Sequence, residues 1–175
     1  MTASLALARM GRLVAEAHGW DLARAFKTYE PSAADQAVIA GCAQDMLRAL
    51  GGKPLSAPAL SAAFAVHLGR KLDAPIVVAQ GTLAVTGETV PGDHAWVMIG
   101  PWIADMALFT RAYAADAPPT LAAHVLRAFG PGKGLFCEAW RRTPRMGLGY
   151  DPRRVLDDAA LETCLAEASA QLRAA

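Results

Sequence analysis

Residues 93–105 read Asp93-His94-Ala95-Trp96-Val97-Met98-Ile99-Gly100-Pro101-Trp102-Ile103-Ala104-Asp105. Apolar and β-favouring residues run up to Gly-Pro and resume after it, which predicts two strands, His94 to Ile99 and Trp102 to Leu108, joined as a tight antiparallel hairpin. With Gly100 and Pro101 as the loop, Ile99 faces Trp102, Trp96 lies opposite Asp105 and His94 opposite Ala107. Side chains alternate with period two, so His94, Trp96 and Asp105 share one face. His94 and Asp105 are then diagonal neighbours, roughly 7 Å apart at the backbone. A slip of one residue in this register would separate them.

A carboxylate beside an imidazole fixes the ring tautomer and leaves the second ring nitrogen free to take a proton from a nucleophile. The same spacing also suits a purely structural hydrogen-bonded pair, or two side chains in solvent. Spacing alone does not choose between them.

His94-Ala95-Trp96-Val97, followed by Trp102 and then by Asp105, resembles the His-x-Trp-Val and Trp-x-x-Asp strands of transglutaminase-like proteins, which belong to the wider papain-like cysteine-protease fold. The preceding segment from Ala59 to Gly81, with Leu72-Asp73-Ala74-Pro75 at its turn, is similar to that family's helix, Leu-Gly-Ile-Pro-Ala turn and first strand. The resemblance covers about residues 55–110. It implies an α+β, papain-like architecture, a single domain over 1–175 in which N-terminal helices (1–50) and a central helix pack on an antiparallel sheet. It also implies acyl transfer, or hydrolysis of an amide or thioester, with His94 as general base and Asp105 as its orienter.

The chain departs from the family at the nucleophile. Counting back from Pro75, the family cysteine falls at about Pro58, between Ala57 and Ala59. Ser56 is the nearest nucleophilic side chain and Ser61 the next. Cys42, in a segment Gly41-Cys42-Ala43-Gln44-Asp45 that faintly resembles a family nucleophile segment, is a further candidate. Each has a plainer reading: Ser56 as a helix cap, Cys42 as a small buried residue of an apolar stripe. Trp96, Gln80 and Trp102 are the expected substrate contacts, Trp96 as a wall and Gln80 as an amide for a developing oxyanion.

Around this centre the chain reads mostly as helices. Thr2 or Ser4 is placed to cap a first helix ending near His18-Gly19. Ser32 caps a second, with stripe Val38, Ile39, Cys42, Met46, Leu50 and stop Gly51-Gly52. Ser56 and Pro58 open a third, from Ala57 to about Leu72, with Leu60, Phe64, Leu68 and Leu72 at steps of four. Ile76 to Val85 is a strand in which Gly81 predicts a bulge. Pro118-Pro119-Thr120 starts a helix to Phe129, Leu135 to Trp140 is a strand, and Asp157 to Leu172 is the last helix. Gly130-Pro131-Gly132-Lys133-Gly134 fails the phosphate-loop pattern. Arg141-Arg142-Thr143-Pro144-Arg145 is a basic patch that suits an anion or simply a solvated turn.

The 175 residues are 54% hydrophobic with a formal charge of +1, enough for a sizeable core and too balanced for a nucleic-acid surface. Arg9 and Arg12 interrupt the first apolar stretch, so neither an export signal nor a membrane span is expected. Three widely spaced cysteines form no metal pattern, and they read as reduced thiols in a cytoplasm. No cofactor is expected. Two functions remain: an acyl-transfer enzyme acting on a peptide, protein or small acyl substrate, or an inactive relative that binds a peptide or protein partner. The segment Asp105-Met106-Ala107-Leu108-Phe109 is also similar to arylamine acetyltransferases, a third reading that meets the same missing cysteine in this chain.

Overall fold

A computed structural model describes the backbone of residues 3–174 and the side chains of residues 7–174. The chain is α+β, with helices on both faces of a six-stranded antiparallel sheet. Its strands are β1 (Ile76–Val85), β2 (Glu88–Thr89), β3 (His94–Ile99), β4 (Trp102–Asp105), β5 (Phe136–Ala139) and β6 (Leu148–Val155). β1 is the hub. Ala79 to Gly81 pair with β3 on one edge and β6 on the other, and Ala84 and Val85 pair with β2 and β6 in the same way. From β3 the sheet continues through β4 to β5.

The central hairpin has the expected register, Ile99 opposite Trp102, Met98 opposite Ile103 and Val97 opposite Ala104. Gly100 supplies the left-handed turn at φ +53° and must stay bare, because a Cβ there would stand 2.8 Å from the Cβ of Tyr29. The second strand stops at Asp105 rather than Leu108. A short helix, Ala107–Ala112, replaces its end, so Ala107 is not a ladder partner of His94. The cause is local: Asp105 Oδ1 accepts the backbone N–H of Leu108 at 2.9 Å, turning the chain out of the sheet.

The helices are α1 (Ala3–His18), α2 (Trp20–Thr28), α3 (Ala33–Leu50), α4 (Ala57–Gly69), α5 (Ala107–Ala112), α6 (Pro119–Phe129) and α7 (Asp158–Ala174), with a 3-10 turn at Trp140–Met146. Ser32 caps α3 in a reciprocal capping box with Asp35. Ser4 lies inside α1, and the alternative cap, Thr2, lies outside the described residues. α4 ends at Gly69, one turn before Leu72. The last helix runs Asp158–Ala174.

Alternation along the strands divides the interior in two. Val77, Ala79, Trp96, Met98, Ile103 and Tyr150 face Met10, Val14 and Phe26 of α1 and α2 and Leu121 and Val125 of α6. Val78, Val97, Ile99 and Ala104 face Ile39 and Cys42 of α3, Leu60, Phe64 and Leu68 of α4 and Ala168 of α7. The sheet thus separates α4 from the face that carries Trp96. No described helix is long and apolar enough to cross a membrane.

Candidate functional site

His94 opens β3 and Asp105 closes β4, which brings the imidazole over the carboxylate. His94 Nε2 lies 2.7 Å from Asp105 Oδ2, and neither side chain has any solvent exposure. A buried carboxylate is costly unless donors saturate it. Asp105 has three. Oδ2 accepts from His94 and from the Tyr150 hydroxyl at 3.0 Å, while Oδ1 accepts the Leu108 N–H. With a carboxylate as acceptor, Nε2 carries the hydrogen, and Nδ1 is left buried without a partner among the described residues.

Tyr150 comes from β6 and completes the site. Its hydroxyl titrates well above the ordinary tyrosine value, first because burial disfavours the phenolate, then because of the Asp105 charge and the hydrogen bond itself. It is therefore a firm donor. Trp96 packs against this group, edge-on to Tyr150 at 5.0 Å and stacked on His94 at 6.1 Å between ring centroids. Trp96 is wholly buried and its indole N–H has no partner among the described residues.

The other expected site residues lie elsewhere. Ser56 is exposed and caps α4, its Oγ accepting the Ala59 N–H at 3.3 Å while its own N–H donates to Gln171. Ser61 is buried and donates to the carbonyl of Ala95, in the gap between α4 and β3. Cys42 is buried in the α3–α4 core, and desolvation raises its thiol above the ordinary value; Asp45 adds to the rise and Lys71 opposes it. Burial likewise raises Cys137 to about 11 and lifts Cys164. Neither Ser56 nor Cys42 touches His94, and the sheet stands between Cys42 and the His94 face.

Gln80 pairs across from Ala95, so it points to the face opposite His94, and its amide oxygen accepts from Arg154 at 2.8 Å. The residue opposite His94 is Gly81, at the bulge the sequence predicted. A Cβ on Gly81 would lie 2.0 Å from the carbonyl oxygen of Asp151, so only glycine lets β6 close over β1 at this point. Trp102 is half-buried in a separate hollow beside Trp140 and Arg142.

An apolar groove of about 500 Å³ runs along the start of α4, with Leu50, Leu55, Ala57, Leu60 and Tyr113 among its walls and Asp93 and Arg111 at its polar end. Asp93 precedes His94 in the chain, but the groove lies on the α4 side of the sheet, away from the face that carries Trp96. Ala57 and Leu60 line it at the head of α4, where a nucleophile was expected. Among the described residues, no three His, Cys, Asp or Glu side chains converge as a metal site. Comparison with protein families, curated proteins and solved structures finds no match for this chain.

Proposed function

We propose that the chain is a transglutaminase-like module of papain-like fold that has given up acyl transfer and binds a peptide or protein partner. One observation carries this: the His94–Asp105 pair is sealed from solvent, and among the described residues no nucleophile hydrogen-bonds to the free ring nitrogen of His94. In that setting the pair serves as a buried strut, tying β3 to β4 and, through Tyr150, to β6. The groove at the head of α4 keeps a substrate cleft's apolar walls. Leu47 and Tyr113, two of its lining residues, are among the few large apolar side chains left exposed, at 41% and 39%.

One feature favours a second reading, an acyl-transfer enzyme. Among the described residues His94 Nδ1 is unpartnered while Nε2 holds the carboxylate, which is the division of labour a general base requires.

Labelling separates the two. Native protein is treated with iodoacetamide and, separately, with a fluorophosphonate, and adducts are located by peptide mass spectrometry. A His94→Gln variant with native circular dichroism serves as control. The binding reading expects slow alkylation of all three thiols, unchanged by His94→Gln, because burial raises each of them. It also expects no fluorophosphonate adduct. A His94-dependent adduct on Ser56 or Cys42 would overturn it in favour of the enzyme.

A further inference from the structure

The 3-10 turn Trp140–Met146 carries three guanidinium groups that the His94 site does not use. Arg141, Arg142 and Arg145 are all exposed, and their side chains alone line a hollow of about 430 Å³. Among the described residues only Arg142 has an acidic partner, Glu138 at 3.5 Å. The turn beneath them is anchored. Trp140 donates its backbone N–H to the Pro101 carbonyl at 2.9 Å, and the buried Thr143 hydroxyl donates back to the Trp140 carbonyl at 3.0 Å. Three like charges are therefore held over one concavity by a fixed backbone.

The hollow does not end there. Arg141 and Arg142 also edge an adjoining cavity of about 390 Å³, walled by Trp102, Pro101 and Pro31, with Lys27 among its lining residues. Trp102 is half-buried, so part of its indole is available to a flat ligand.

We propose that this double hollow binds a phosphorylated small molecule, its phosphoryl group among Arg141, Arg142 and Arg145 and its ring system along Trp102. Guanidinium forks match phosphoryl oxygens two at a time, and three forks exceed what the two oxygens of one carboxylate can occupy. A phosphoryl group carries up to two charges and at least three acceptor atoms, so together with Glu138 it balances the three guanidinium charges, where a carboxylate would leave the cluster in excess. A long polyanion fits less well: the chain as a whole is only +1, and Glu30 lines the adjoining cavity. This assignment is independent of the reading of the His94 site.

The test is calorimetric titration of the full chain at matched ionic strength with inorganic phosphate, adenosine, adenosine monophosphate and a single-stranded oligonucleotide. Adenosine monophosphate should bind more tightly than inorganic phosphate or adenosine, and quench tryptophan fluorescence. The double variant Arg141→Gln/Arg145→Gln, at exposed positions and expected to keep its melting temperature, should weaken that binding roughly a hundredfold, about tenfold per guanidinium. Glu138→Gln, which removes the competing carboxylate, should strengthen it a few-fold. Binding unchanged in the double variant, or none in folded protein, overturns the proposal. Affinity for the nucleotide no better than for inorganic phosphate overturns the role of Trp102, and markedly tighter oligonucleotide binding replaces the small molecule with nucleic acid.

Discussion

Replacing Asp105 by alanine removes the one acceptor shared by His94, Tyr150 and the backbone of Leu108, all inside the protein. Each buried donor left without a partner costs about 1–3 kcal/mol. The three are not independent, because water entering the vacated space serves more than one of them. The expected loss is therefore about 3–5 kcal/mol, the usual cost of breaking a buried pair from one side. Tyr150→Phe removes a single donor and should cost about 1–2 kcal/mol. In the double variant the tyrosine penalty should largely disappear, since the hydroxyl no longer has a carboxylate to meet, giving a coupling of about 1–2 kcal/mol. Urea denaturation at neutral pH measures all four proteins, and a constant slope with denaturant confirms a common unfolding transition. If Asp105→Ala does not fold, Asp105→Asn replaces it in the cycle. Penalties that add within about 0.5 kcal/mol would refute the shared network. So would an Asp105→Ala cost typical of an exposed carboxylate.

Two further outcomes follow from neighbouring residues. Tyr150 keeps its proton in the fold beyond the ordinary value of 10.0, so above about pH 10 the unfolded chain binds fewer protons than the native one and stability falls as pH rises. Below that pH the contribution is fully present; Tyr150→Phe should flatten the alkaline fall measured by urea midpoints, leaving the part due to Tyr29, whose hydroxyl is raised to about 12, and to the raised thiols of Cys42, Cys137 and Cys164, and an unchanged slope would contradict this. Gly81→Ala puts a methyl against the Asp151 carbonyl and should cost about 3 kcal/mol, with loss of amide protection in β6 under hydrogen exchange; native stability would show that the bulge tolerates a side chain.

The hairpin was legible because Gly100-Pro101 punctuates two apolar runs and leaves one register that buries them. α4 was legible from Ser56, Pro58 and apolar residues at steps of four. β6 was not foreseen, although Leu148, Tyr150 and Pro152 alternate with Gly149 and Asp151 and are all buried. Its proline and the Arg153-Arg154 pair disfavour a strand on local grounds, and only tertiary pairing with β1 makes it one. That omission hid Tyr150, the third partner of Asp105. α2, β2 and α5 were also missed, each too short for its periodicity to speak. The nucleophile candidates could not be tested from spacing, because which face of the sheet α4 covers depends on the crossing from helix to strand rather than on either segment.

The double pairing of β1 bears on how the chain reaches this state. Its β3 partner follows within a short stretch of sequence, whereas β6 lies roughly 70 residues downstream. Until β6 arrives, the outer edge of β1, from Ala79 to Val85, offers unpaired backbone groups flanked by apolar side chains, the kind of edge that recruits strands from other molecules. A nascent chain on the ribosome, or a fragment ending before Leu148, would present that edge to its neighbours, and solubility during synthesis then depends on how quickly β6 emerges and closes over it.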